Sequence, residues 1–418
     1  MVNNKLKEED LSFENTEYAF AYKNDSELKL AKFLFTSIGT AWMLNLGLKL
    51  MPLAIKWQLP FSKTGIRKTI FKQFVGGETL EETAPVVNKL AAYDVQVILD
   101  YGVEGGEGGE EEYEHAMAEF IRVVEYAASQ ANIPFISIKV TGIVRFSLLE
   151  KIDAMMQKSE SDSLMKRYLS VVSELETEEQ LEWKRGVSRL MKICDAAVAA
   201  NIAVLVDAEE TWIQDPVDAI TLLMMDTYNK TKARIYNTIQ LYRWDRLEFL
   251  KKSFDAAKER SFILAVKLVR GAYMEKERLR AKENNYKSPI QVSKENTDAD
   301  YDEAIKFCLS ELNSIATIVA THSEKSNLLA ARLIDEQSIQ NNHPHVHFSQ
   351  LYGMSDNITF NLAESGCSVS KYLPFGPIEE VVPYLLRRAQ ENSSVAGQTG
   401  RELGLIKKEL SRRNQEQP

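Results

Sequence analysis

Short runs of branched and apolar residues recur along this chain, and longer segments with helical spacing of apolar positions separate them. The runs are Val95–Leu99, Phe135–Val140, Ala203–Val206, Ile235–Ile239, Ile263–Val269, Ala316–Ala320, Val346–Phe348 and Ser368–Leu373. Each is too short for an independent helix and rich in β-branched residues, so each predicts a buried strand. Strand alternating with helix implies parallel pairing, and eight such units predict an α/β chain closed into a (β/α)8 TIM-type barrel. Ahead of the barrel, residues 1–90 read as a helical region. Its last helix spans Thr79 to Leu90, with Leu80, Ala84, Val87 and Leu90 on one side. The barrel is expected over residues 91–395, with residues 396–418 forming a final helix and tail. Residues 151–190 exceed what one crossover needs and read as a helical insertion, with Ser159–Ser163 marking a turn between its helices.

Within this pattern one segment stands apart for its polarity, or lack of it. Phe33 to Ile55 is the most apolar stretch, but Asn45, Lys49 and Pro52 interrupt it and it is barely long enough to span a bilayer. A packed helix pair with a surface membrane contact is the expectation. The N-terminus is polar and acidic. It has neither the apolar core of a signal peptide nor an Arg-rich presequence, so a cytoplasmic protein is expected, peripheral at the inner face of the membrane.

The chain has 418 residues, 44% of them apolar, ample for a barrel-sized core, and its net charge of -9 disfavours a nucleic-acid partner. Cys194, Cys308 and Cys367 lie too far apart for a disulfide framework or a zinc ribbon. His343, His345 and His347 stand at strand period but lack a nearby carboxylate or cysteine, so no metal is expected.

Candidate chemistry sits where barrel enzymes carry it, at the carboxyl ends of the strands. The polar residues there are Asp100, Lys139, Asp207, Gln240, Lys267, Thr321 with His322, Gln350 and Tyr372. Lys267 lies in an apolar run, where an amine needs an anionic partner. Gly271 ends that run and admits a flat or bulky group close to the backbone. Arg387 and Arg388, on the helix that Gly376-Pro377 opens, suit bidentate capture of a carboxylate. Glu391 lies one turn beyond Arg387 on the same helix face. The glycine-rich acidic loop Gly102–Glu112 suits a mobile lid rather than a phosphate cradle, since its carboxylates would repel a pyrophosphate.

Several of these segments together resemble one family. Lys-Leu-Val-Arg-Gly-Ala-Tyr273 followed by Glu-Lys-Glu-Arg278, and Tyr372-Leu-Pro-Phe-Gly-Pro with Tyr384-Leu-Leu-Arg-Arg-Ala-Gln-Glu-Asn392, are similar to signature segments of proline dehydrogenases. So, in the family's order, are Ile98-Leu-Asp-Tyr101, Ser137-Ile-Lys139, Val206-Asp-Ala-Glu-Glu210, Ala320-Thr-His322 and Gln350-Leu-Tyr-Gly-Met354. Ala21-Tyr-Lys23 and Phe74–Thr79 resemble the monofunctional, eukaryote-like branch.

The resemblance implies an FAD-dependent barrel that oxidises L-proline to Δ1-pyrroline-5-carboxylate, by hydride transfer from C5 to flavin N5, and passes electrons to a membrane quinone. It implies that Lys139, Arg387 and Arg388 hold the substrate carboxylate and that Glu391 assists them. Asp207 and Lys267 are the implied catalytic pair. Tyr273, Leu351 and Tyr372 form the implied cage around the proline ring, with Tyr372 favouring proline over hydroxyproline. Ala208, Gln240, Lys267, Val269, Arg270, Gly271, Ala272, Thr321 and His322 match cofactor-contacting positions, and Glu104 matches an acid that gates the site. The chain is too short to include the aldehyde dehydrogenase of fused relatives, so a separate pyrroline-5-carboxylate dehydrogenase is expected in the pathway. Within the resemblance a hydroxyproline dehydrogenase is the alternative; on the residues alone a Schiff-base aldolase using Lys139 or Lys267 as nucleophile, a flavin barrel reductase for folates and a non-catalytic scaffold stay open.

Overall fold

The computed structural model describes residues 11–40, 42–43, 49–50, 57, 62–102, 107–394 and 398–416. Much of the apolar Phe33–Ile55 segment and the expected gate Glu104 lie outside them. Eight parallel strands follow one another in chain order around a closed barrel. They are β1 (Gln96–Tyr101), β2 (Phe135–Ile138), β3 (Ala203–Val206), β4 (Ile235–Gln240), β5 (Leu264–Val269), β6 (Ile315–Ala320), β7 (Val346–Leu351) and β8 (Val369–Phe375). Nearly every strand residue is buried, as in a parallel sheet covered on both faces, and this is why the strands appear in the sequence as continuous apolar runs.

Several strands, β1, β7 and β8 foremost, run further than their apolar pattern suggests. The pairing of β7 with β8 continues through Gln350↔Lys371 and Leu351↔Tyr372. Tyr372 is therefore an interior position of β8, and Lys267 is likewise two residues short of the end of β5. Asp100 is buried within β1 rather than closing it. Backbone hydrogen bonding in a closed ladder carries the strand past its last branched residue.

By contact density the chain divides into two compact units, residues 1–102 with 321–343 and 347–418, and residues 103–320 with 344–346. In the first unit, helices α1 (Thr16–Phe20), α2 (Asp25–Ile38) and α3 (Leu80–Ala91) precede β1. Thr79 caps α3, its hydroxyl accepting the Glu82 N–H. The same unit includes α12 (Glu324–Glu336), α13 (Asp356–Glu364), α14 (Ile378–Ser394) and α15 (Gln398–Glu416). Phe20, Leu28, Phe35, Phe74, Val381, Leu385, Leu405 and Ile406 share one apolar cluster there, which fastens both ends of the described chain to α14. Gly353, at φ +80°, lies where a Cβ would meet the Gln73 carbonyl oxygen at 2.0 Å, so only glycine fits.

The second unit carries α4 (Glu110–Ala128), α5 (Phe146–Met156), α6 (Leu164–Glu174), α7 (Thr177–Ala199), α8 (Gln214–Tyr228), α9 (Arg246–Arg260), α10 (Met274–Glu283) and α11 (Lys294–Ser310). The turn between α5 and α6 falls on the serine-rich segment Ser159–Ser163. Among the described residues, no helix is long and apolar enough to cross a membrane.

Two acids meet where α5 faces the start of α8. Asp153, 3% exposed on α5, accepts the Asp215 N–H at 3.0 Å. Burial, reinforced by the Asp215 charge, pushes the Asp153 acid up to about 7. The fold thus keeps a proton that the unfolded chain releases near pH 4, and stability falls as pH rises between those values. Asp153→Asn retains an acceptor for the Asp215 N–H and has no charge to bury. Its thermal unfolding at about pH 8 should show a gain on the order of 2–4 kcal/mol, vanishing near pH 4. A gain equal at both pH values would show that ionisation is not the cause.

Candidate active site

The second unit assembles its polar strand ends around one carboxylate. Asp207 follows β3, and its Oδ1 accepts the Lys267 ammonium from β5. Lys139, the first residue after β2, places Nζ 3.8 Å from Asp207 Oδ2. Backbone register explains the meeting: Asp207 N–H donates to Ile138 O, so β3 overhangs the end of β2 just where Lys139 emerges. Both lysine side chains are more than nine-tenths buried and the aspartate nearly so. The amine expected to need an anion in the apolar β5 run has one. The trio carries two positive charges and one negative, which suits a site for a small anion.

Beside it, Gln240 ends β4. Its amide donates to the Glu209 carbonyl (2.6 Å) and the Tyr242 hydroxyl (2.9 Å). After Val269, the Arg270 guanidinium lies 3.9 Å from the Tyr301 ring centroid and pairs with Asp298. Gly271 follows at φ +84°, where only Met274 Sδ, at 3.9 Å, comes near an added Cβ. Ala272 and Tyr273 complete the turn into α10. Ala208 is half-buried beside Asp207.

In the first unit, β7 and β8 set Leu351 opposite Tyr372. Gln350 donates to Thr321 O (3.2 Å) and accepts from Thr359 Oγ1 (2.8 Å). The Thr321 hydroxyl accepts the Ser323 N–H at 3.1 Å, where Ser323 caps α12. His322 Nδ1 lies 2.9 Å from Ser355 Oγ. On α14, Arg388 is buried with its guanidinium 5.0 Å from the Tyr384 ring centroid, and Arg387 is half-buried. The side chain of Glu391 lies outside the described residues, as does Glu104. His347 of the histidine run is buried within β7, and burial pushes its imidazole down to about 3, a neutral core residue at physiological pH.

A sequence model of proline dehydrogenase matches residues 84–401. The chain belongs to the proline dehydrogenase family. This is a family of oxidoreductases, and several curated relatives agree with the match. "Proline dehydrogenase 1, mitochondrial" of Dictyostelium discoideum is 33% identical over 83% of this chain and 65% of its own length. "Hydroxyproline dehydrogenase" of Xenopus laevis is 32% identical over 84% of this chain and 78% of its own. Among solved structures, proline utilization A from Bdellovibrio bacteriovorus, inactivated by N-propargylglycine, superposes with a TM-score of 0.67 at 21% identity. It covers 91% of this chain and 38% of that larger one, a likeness of fold. This chain thus spans about two thirds of the slime-mould relative and under half of the solved one.

The family match leaves residue roles to the geometry. Within the second unit, the Gln240 amide, the Arg270 guanidinium and the open Gly271 at neighbouring strand ends are groups of the kind that fit an anionic, flat cofactor such as FAD. Reading the sequence for polar strand ends passed over Glu209. It is 6% exposed and accepts from Thr141 Oγ1 at 2.9 Å, while its N–H donates to Gln214 Oε1. Its place in the Val206–Glu210 motif was the available signal.

Proposed function

We propose that this chain oxidises L-proline to Δ1-pyrroline-5-carboxylate with bound FAD and passes the electrons to a quinone. The observation that carries the reading is the convergence of Lys139 and Lys267 on Asp207. Lys139, with Arg387 and Arg388, would bind the proline carboxylate and orient the ring. Tyr273, Leu351 and Tyr372 would cover the ring and exclude water, with Glu391 supporting the arginine pair and Glu104 closing over the site. Gln240, Val269, Arg270, Gly271, Ala272, Thr321, His322 and Ala208 would hold the FAD, which supplies the two-electron acceptor for the C5–H bond. The cations around the substrate would disfavour its protonated amine, leaving a lone pair on nitrogen to drive loss of the C5 hydride. A cytoplasmic enzyme touching the membrane peripherally, and handing its product to a separate pyrroline-5-carboxylate dehydrogenase, completes the reading.

The test is a visible spectrum of the purified chain before and after anaerobic L-proline. A flavin spectrum bleached by proline and untouched by NADH supports the reading. A colourless protein, trapped by borohydride with a carbonyl substrate, would replace it with an aldolase. Bleaching by hydroxyproline alone would move the substrate, an outcome that the likeness to the Xenopus laevis relative makes specific. Tyr372→Ser opens space beside the ring and is expected to shift the ratio of proline to hydroxyproline kcat/KM toward hydroxyproline by roughly tenfold. An unchanged ratio removes Tyr372 from the cage.

A further inference from the structure

His322 is tied to a part of the chain that substrate binding does not use. Its partner Ser355 stands in the left-handed region at φ +50°, a strained conformation for serine. The Ser355 N–H donates to Oε1 of Glu402, a residue 4% exposed on α15. The adjacent Asp356 is held just as firmly, by Lys371 Nζ at 2.8 Å, Lys23 Nζ at 2.9 Å and the Tyr22 hydroxyl at 2.8 Å. Lys371 also donates to Met354 O at 2.6 Å.

A buried carboxyl is costly, and the neighbouring α15 positions Leu405 and Ile406 show that this face accepts apolar residues. Glu402 therefore has to do something that a leucine could not. Burial, with Asp356 adding to it, pushes the Glu402 acid up to about 7, while the Ser355 N–H, Lys371 and Lys23 oppose the rise. Either protonation form can accept the N–H.

We propose that Glu402 is a positioning residue for His322. It fixes the Ser355 turn through the backbone N–H, and the serine hydroxyl then holds the imidazole by Nδ1 in one orientation. That His322 serves FAD rests on the reading above; the chain of contacts from Glu402 to the ring does not.

Three variants of the full chain separate the steps. Ser355→Gly suits the positive φ, keeps the N–H and removes only the hydroxyl. Glu402→Ala removes the acceptor, and Glu402→Gln retains one. With five histidines in the chain, long-range 1H–15N spectra resolve the His322 ring, assigned through His322→Gln. Ser355→Gly and Glu402→Ala are expected to shift and broaden the His322 ring signals as the held orientation is lost, and to weaken FAD binding by roughly tenfold. Glu402→Gln should keep the parent spectrum and affinity. An unchanged His322 signal in Ser355→Gly overturns the proposal, as does a Glu402→Gln variant in which the parent His322 signal is lost. Should Glu402→Ala fail to fold, those two variants still decide. If the parent chain binds no FAD, the cofactor reading fails while the His322 spectra still test the positioning.

Discussion

Asp207→Asn is expected to lower kcat/KM for proline by on the order of a hundredfold, equivalent to about 2.7 kcal/mol of transition-state stabilisation. Asparagine keeps the size of the side chain and removes its charge. Lys139 and Lys267 would then face one another in a buried site without the carboxylate that both approach. Breaking a buried pair by removing one partner costs roughly 3–5 kcal/mol, because the stranded charge remains desolvated. The two ammonium groups would also separate, and on the proposed reading a carboxylate clamp that has moved by an ångström would no longer present C5 correctly. The variant should therefore lose both stability and turnover. Adding Lys267→Met to it should recover stability, because it removes a stranded charge, and should leave turnover low. Steady-state kinetics with chemical denaturation of the single and double variants checks this. A single variant within threefold of the parent kcat/KM would show that Asp207 is not the organising charge of the site.

The sequence and the structure agree best where burial is two-sided. A strand such as Ala203–Val206, buried throughout, can be read directly because every residue obeys one rule. Val266-Lys267-Leu268 was legible for the complementary reason: a lysine in such a run demands an anion. Which anion was not legible from spacing, since Asp207 lies 60 residues away and meets Lys267 only because β3 and β5 flank β4. Lys371, directly before the Tyr372 motif, was passed over, yet it is fully buried. Its partner Asp356 comes from a helix start, and Lys23, which pairs with the same carboxylate, comes from the N-terminal segment; no local pattern joins the three. Glu402 drew no notice in a segment read only as a final helix and tail. Its spacing with Leu405, Ile406 and Glu409, all buried, places it on the apolar stripe, and that periodicity was the missed signal. Arg387 and Arg388 were legible as a tandem pair, but helical geometry gives the two different burial, which the pair of letters does not show.

The buried ion cluster of the first unit yields the other large expected effect. Asp356→Asn should destabilise the chain by roughly 3–5 kcal/mol and lower Tm by roughly 5 °C or more. Burial alone would raise the Asp356 acid, but Lys23 and Lys371 beside it more than reverse this and hold it well below the usual carboxylate range. Its stabilising contribution is thus complete above its unfolded value near 4 and is lost as pH falls through the lower folded value. The parent should show this acid-dependent loss and the variant should not, so the two stabilities converge at low pH. Asparagine still accepts the Tyr22 hydroxyl, which confines the change to charge. Lys371 has no water to retreat to: its side chain is 0% exposed, and burial already lowers its affinity for a proton, with Asp356 opposing that fall. Combining Asp356→Asn with Lys371→Met removes one stranded charge with its counter-charge and should restore a large part of the lost stability, a coupling that a double-mutant cycle measures directly. Additive losses in that cycle would mean that the contacts at Asp356 stabilise by shape rather than by charge.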